Sequence, residues 1–128
     1  MKFDIVVPLL GFDELREVEL QKIDDVFMKM QSCEDSNVSF TLVNPYALRE
    51  YDFEVPKNIK ELLNITKESN LLIFNVVIIQ TPIEDSMVNF LGPIIFNTDT
   101  KKAAQLIVTE DLGYGIAEKI SSFFKEDS

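Results

Sequence analysis

Histidine is absent and cysteine occurs once, at Cys33. Without imidazole the common zinc-ligand sets and the Ser-His or Cys-His nucleophilic pairs cannot be assembled, and one thiol cannot close an intrachain disulfide. Glycine is scarce, at four residues, and none opens a phosphate-cradling loop: Gly113 and Gly115 precede a helical pattern but follow no strand at the required spacing. No window supplies the alternating acids, glycine and distal glutamate of a calcium loop. The longest strongly apolar stretch, LLIFNVVII from Leu71 to Ile79, contains Asn75 and falls far short of the ~20 residues that span a bilayer. The opening MKFDIVVPLLGF shows no signal-peptide cleavage pattern, so a cytoplasmic location is expected. No cofactor and no metal are expected.

Basic residues are also few. Twelve Lys and Arg face 22 Asp and Glu, a net charge of -10. The bases are scattered, so direct binding to nucleic acid or an anionic membrane is not expected, and a basic protein is the better-matched partner. The acidic excess is concentrated. Between Gly11 and Asp35, eight acids (Asp13, Glu14, Glu17, Glu19, Asp24, Asp25, Glu34, Asp35) face three bases (Arg16, Lys22, Lys29), and a smaller excess follows Glu110. Such segments are either solvated faces or a surface that steers a cationic partner.

What is present describes one compact unit. The 128 residues suit a single domain, 1–128, that buries its own core, and the 46% hydrophobic and 10% aromatic content agrees. Alternating or β-branched runs predict strands over Lys2–Val7, Glu17–Ile23, Val26–Ser32, Val38–Asn44, Tyr51–Val55, Leu71–Gln80, Met87–Leu91, Pro93–Asn97 and Ala103–Thr109. Many short strands imply a mainly β fold, a barrel or a sandwich. The turn-rich CEDSN (Cys33–Asn37) and NTDTK (Asn97–Lys101) predict antiparallel hairpins, and LLIFNVVII, which lacks alternation, reads as a central strand.

Two helices are expected. After Pro56, Ile59, Leu62 and Leu63 follow helical spacing. Near the end, Ile116, Ile120, Phe123 and Phe124 make an amphipathic stripe over about 114–125. A helix this short is marginal alone, so its stripe docks on the barrel or on another chain.

Adjacent acids at Asp24–Asp25, Glu34–Asp35 and Glu84–Asp85 do not make a catalytic dyad, because neighbouring residues point to different faces and turn carboxylates are solvated. No enzyme is expected. Cys33 sits beside Glu34 and Asp35, whose charge disfavours the thiolate.

The ordered set LLGF (Leu9–Phe12), MQS (Met30–Ser32), VSFTLVNPY (Val38–Tyr46), YDFEV (Tyr51–Val55), TPIEDSMVNFLGPIIFN (Thr81–Asn97) and AAQLIV (Ala103–Val108) resembles the FliW flagellar assembly factors. Departures are mild, such as Leu10 where the family often has proline before Gly-Phe. The resemblance implies a non-enzymatic, β-barrel-like protein. With the strands and helices read from spacing, the expected fold is a mainly β, antiparallel barrel-like single domain with one short internal helix and a C-terminal helix, the segment after Gly113 matching the family least. The resemblance also implies a protein that is a monomer when free and binds two partners. It would sequester CsrA, a basic RNA-binding translational repressor, relieving repression of flagellin synthesis, and it would bind flagellin. A flagellin-specific, chaperone-like protein with no repressor partner is the alternative. On this reading Glu84 and Asp85 are the first candidates for the repressor, with Asp24, Asp25, Glu34 and Asp35 as a second patch. The stripe of Ile116, Ile120 and Phe123 is the candidate for flagellin. Asn44, Asn89 and Asn97 read as satisfying backbone groups, and Gly11 with Phe12 as a turn plus a core anchor.

Overall fold

A computed structural model of the chain describes residues 1–48, 51, 53–109 and 118–120. Nine strands occur among these residues: β1 (Lys2–Val7), β2 (Glu17–Lys22), β3 (Phe27–Ser32), β4 (Ser39–Val43), β5 (Leu71–Ile78), β6 (Met87–Val88), β7 (Ile94–Asn97), β8 (Lys102–Gln105) and β9 (Glu118–Lys119). Seven of them close a barrel in the order β4-β3-β2-β1-β8-β7-β5, with β5 returning to β4. Every pairing is antiparallel except the parallel seam of β1 with β8. Both predicted hairpins, β3–β4 and β7–β8, are present. β5 is the central strand: β4 lies along one edge, and β7 and β6 share the other.

Alternation along the strands sets the layers. Phe3, Val18, Leu20, Met30, Leu42, Phe74, Ile94 and Phe96 point inward and fill the barrel. Phe96 packs edge-on against Phe3 and Phe74 at centroid distances of 5.0 and 5.9 Å. Outward residues of the same strands, Ile73, Val77 and Ile95, are covered by Leu48, Tyr51, Phe53, Val55, Ile59 and Leu63, which lie on the outer wall. Within it α1 (Lys57–Leu62) buries Ile59, and Leu63 follows at its C-cap, as the helical spacing after Pro56 predicts.

Two expectations change. Tyr51–Val55 alternates as a strand would, with Tyr51 buried, Phe53 and Val55 half-buried and Glu54 exposed, yet none of its described residues joins a ladder. The alternation arises because extended chain lies across the outer wall of the barrel. The Tyr51 hydroxyl donates to the Phe90 carbonyl, and the fully buried Asn75 donates Nδ2 to Tyr51 Oη at 3.2 Å and to the Asn89 carbonyl at 2.8 Å.

The second change concerns the expected helix over 114–125, most of which lies outside the described residues. Inside it, Glu118–Lys119 is extended and pairs with β6 (Met87↔Lys119, Val88↔Glu118). The Ile120 N–H donates to the Ser86 carbonyl at 2.8 Å, and its side chain is buried with Val88 and Phe90. A free strand edge supplies backbone partners that so short an apolar pattern could not forecast. Among the described residues no helix is long and apolar enough to cross a membrane.

Candidate protein-binding end of the barrel

Strand direction decides which loops meet. The register brings the ends of β1, β3, β5 and β8 together with the starts of β2, β4 and β7. The 8–16 loop, the 33–38 turn, the 79–86 connection, the 89–93 loop and Ile107 therefore share one end, called here the Phe12 end. The 23–26 turn, the 66–70 loop and the 98–101 turn share the other, the Asp24 end.

At the Phe12 end Leu9–Phe12 forms a tight turn closed by the Phe12 N–H to Leu9 carbonyl bond at 2.9 Å. Gly11 has φ 86°, a left-handed conformation that favours glycine in the third position of such a turn. The turn leaves Leu10 79% exposed and Phe12 43% exposed. Phe12 is thus a surface aromatic stacked edge-on against Phe40, with centroids 4.8 Å apart, and not the core anchor the sequence suggested.

Gln105 holds this arrangement: its Oε1 accepts from the Leu10 N–H at 2.8 Å and its Nε2 donates to the Gly92 carbonyl at 3.0 Å. A Cβ on Gly92 would stand 2.8 Å from that Nε2, so the glycine makes room for the amide. Between these elements runs a groove of about 160 Å³ lined by Leu10, Phe12, Phe40, Ile78 and Ile107 among others. Ile78, Ile79 and Ile107 are 48%, 52% and 59% exposed, so half of the ten exposed large hydrophobic residues among the described residues gather at this end.

Beside the groove, and sharing Phe12, is a depression of about 290 Å³ lined by Asp13, Glu14, Glu34 and Asp35. Asp13 and Glu14 make no side-chain hydrogen bond or ion pair with a described residue, whereas Glu34 Oε1 accepts from the Arg16 and Glu17 N–H groups at 3.3 and 3.4 Å. Asp35 Oδ1 accepts from the Asn37 N–H at 2.9 Å. Glu84 and Asp85 lie in a 3-10 turn (Ile83–Asp85) at the same end, and Asp85 meets Lys119 at 3.5 Å. Cys33 borders this acidic region, and partial desolvation, then the charge of Glu17, pushes its thiol pKa up.

The proposed second patch is divided. Glu34 and Asp35 are at the Phe12 end, but Asp24 and Asp25 cap the opposite end of β3. Asp24 Oδ1 accepts from the Val26 and Phe27 N–H groups, both at 2.8 Å, and these bonds hold its carboxyl below the usual range. Asp25 pairs with Lys22 at 3.2 Å. The asparagines are structural: Asn44 Oδ1 accepts from the Tyr46 N–H, Asn89 Oδ1 from the Leu91 N–H, and Asn97 bridges the Leu63 carbonyl and the Asp99 N–H. Ile120 is buried, and Ile116 and Phe123 lie outside the described residues.

A family model described as FliW protein matches residues 2–120. The flagellar assembly factor FliW of Sulfurimonas denitrificans is 60% identical over 126 residues, covering 98% of this chain and 100% of its own length. The chain belongs to the FliW family. The flagellar assembly factor FliW 2 of Wolinella succinogenes is 50% identical, covering 100% of this chain and 96% of its own. A crystal structure of the flagellar assembly factor FliW superposes with a TM-score of 0.86 over 99% of this chain and 88% of that one, at 23% identity, a likeness of fold. The closed barrel is therefore the FliW fold.

Sequence reasoning missed Leu10, Phe12, Ile78 and Ile107 as a surface. The signal available was the run Val76–Ile79, four consecutive large apolar residues that two alternating strand faces cannot both bury once the ladder ends at Ile78.

Proposed function

We propose that this FliW-family chain regulates flagellar assembly by binding: in the cytoplasm, as a monomer when free, it sequesters the basic translational repressor CsrA and so relieves repression of flagellin synthesis, and it also binds flagellin. The observation that carries this reading is the joining of exposed apolar side chains with uncompensated carboxylates at one end of a barrel whose interior is packed. Monomeric proteins seldom leave a large apolar patch uncovered unless something binds it, and an acidic rim accelerates encounter with a basic partner.

Glu84, Asp85, Glu34 and Asp35 are the acids assigned to the repressor. The test is co-purification of this chain with the cognate repressor at low and high salt. A complex that weakens as salt rises supports the reading, and absence of any complex at low salt overturns it. The chaperone-like alternative, with flagellin as the sole partner, draws on the apolar part of the same end. It is separated by deleting the repressor gene: a motility defect in cells lacking this chain that survives the deletion favours the chaperone role.

A further inference from the structure

The exposed apolar residues and the spare acids adjoin, and each half restricts what can bind. We propose that the Phe12 end is one composite docking surface for a basic protein segment that places large apolar side chains in the groove between Phe12, Ile78 and Ile107 and its Lys or Arg side chains over Asp13, Glu14, Glu34 and Asp35. The inference rests on the proposed function for the choice of partner, and it goes beyond it in joining the two halves into one site and in assigning the apolar anchor.

Three features favour this occupant. The groove and the acidic depression share Phe12, so a ligand seated in one touches the margin of the other. The turn that presents Leu10 and Phe12 is pinned through Gln105 to the Gly92 carbonyl, so the anchor is preorganised and little ordering cost falls on binding. Charge complementarity selects the partner's sign. A second copy of this chain, with net charge -10, would set these acids against their own copies, and like charges facing each other across an interface are repulsive.

The experiment titrates the cognate repressor, as probe, into the full chain and into three double variants, each first shown by thermal melting to be folded. Leu10→Ser with Ile107→Ser removes two exposed apolar side chains. Asp13→Lys with Glu14→Lys reverses two carboxylates that hold no turn. Glu61→Lys with Glu68→Lys makes the same change in net charge away from the site. Glu61 is on α1, whose C-terminal Leu63 carbonyl is tied to Asn97 Nδ2 at 2.9 Å near the Asp24 end, and Glu68 is in the loop entering β5.

The apolar variant is expected to lose about tenfold or more in affinity at every salt concentration, as truncation of central anchors does. The first charge variant should lose about tenfold at low salt with a flatter salt dependence, and the distal charge variant should lose clearly less, since only long-range attraction changes. If the parent chain binds and both Phe12-end variants bind as tightly as it does, the docking site is overturned while the proposed function stands. If loss is equal for the two charge variants, the site's location is overturned. If the apolar variant binds more tightly, the groove is covered by the chain's own segment and the proposal fails. If the parent chain does not bind, both the function and the site are overturned.

Discussion

The two ends of this barrel carry acids to different purposes. At the Asp24 end two carboxylates hold turns: Asp24 accepts two backbone N–H groups, and Asp99 accepts from the Asn70 N–H at 2.9 Å and Asn70 Nδ2 at 3.2 Å. At the Phe12 end Glu34 and Asp35 likewise accept backbone N–H groups, but Asp13 and Glu14 hold nothing among the described residues and line the depression beside the groove of exposed Leu10, Phe12, Ile78 and Ile107. An acid count along the sequence treats these as equal, but a carboxylate spent on its own turn has fewer lone pairs left for a partner. The proposed docking surface lies at the end where charge is spare and apolar surface is uncovered.

The largest effect comes from breaking the core that keeps both ends in register. Phe96→Ala removes a fully buried ring packed against Phe3 and Phe74, and a loss of about 3–5 kcal/mol is expected in urea unfolding. Less is at stake in the outer wall. Tyr51→Phe deletes the hydroxyl that donates to the Phe90 carbonyl and accepts from Asn75, leaving buried partners unmet, at about 1–3 kcal/mol by the same measurement.

A smaller change sharpens the comparison from the Phe12 end. Gly92→Ala forces Gln105 aside, and loss of its bonds to the Leu10 N–H and the Gly92 carbonyl should cost about 1 kcal/mol or somewhat more. Hydrogen exchange at the Leu10 amide should speed up while amides in the 23–26 turn keep their protection. The smallest effect belongs to the other end and appears on acidification. Backbone bonds hold the Asp24 and Asp99 carboxyls below the usual range, so their stabilisation is full above the ordinary carboxylate pKa of about 3.9 and is lost as pH falls through the lowered values. Melting temperature should therefore drop below about pH 4, and Asp24→Asn, which keeps an acceptor but does not titrate, should flatten that drop.

Much of the barrel was legible in the chain. β1 matches its predicted bounds and β2, β3, β4 and β7 fall within one residue of theirs, because period-two alternation and Asn- and Asp-rich turns are local signals, whereas β5, β6 and β8 start where expected to within a residue but end two to four residues early. Tyr51–Val55 misled because alternation reports a half-buried extended chain whether or not a ladder forms. Glu118–Lys119 misled because a helical stripe was read where an unpaired edge of β6 captures backbone. The site was less legible than the fold. Which loops share an end follows from strand directions and from the parallel closure of β1 on β8, and neither is written in any one segment. The pairing of Glu34 and Asp35 with Phe12, and the separation of Asp24 and Asp25 from them, emerge only after the barrel closes.

The most direct test follows backbone amide shifts of the isotopically labelled chain while the cognate repressor is added. Binding at the Phe12 end predicts perturbations clustered in residues 9–16, 33–38, 78–85 and 105–108, with the 23–27 and 97–102 amides unmoved. A cluster centred on Asp24, Asp25 and Asp99 with a silent Phe12 end would contradict the account.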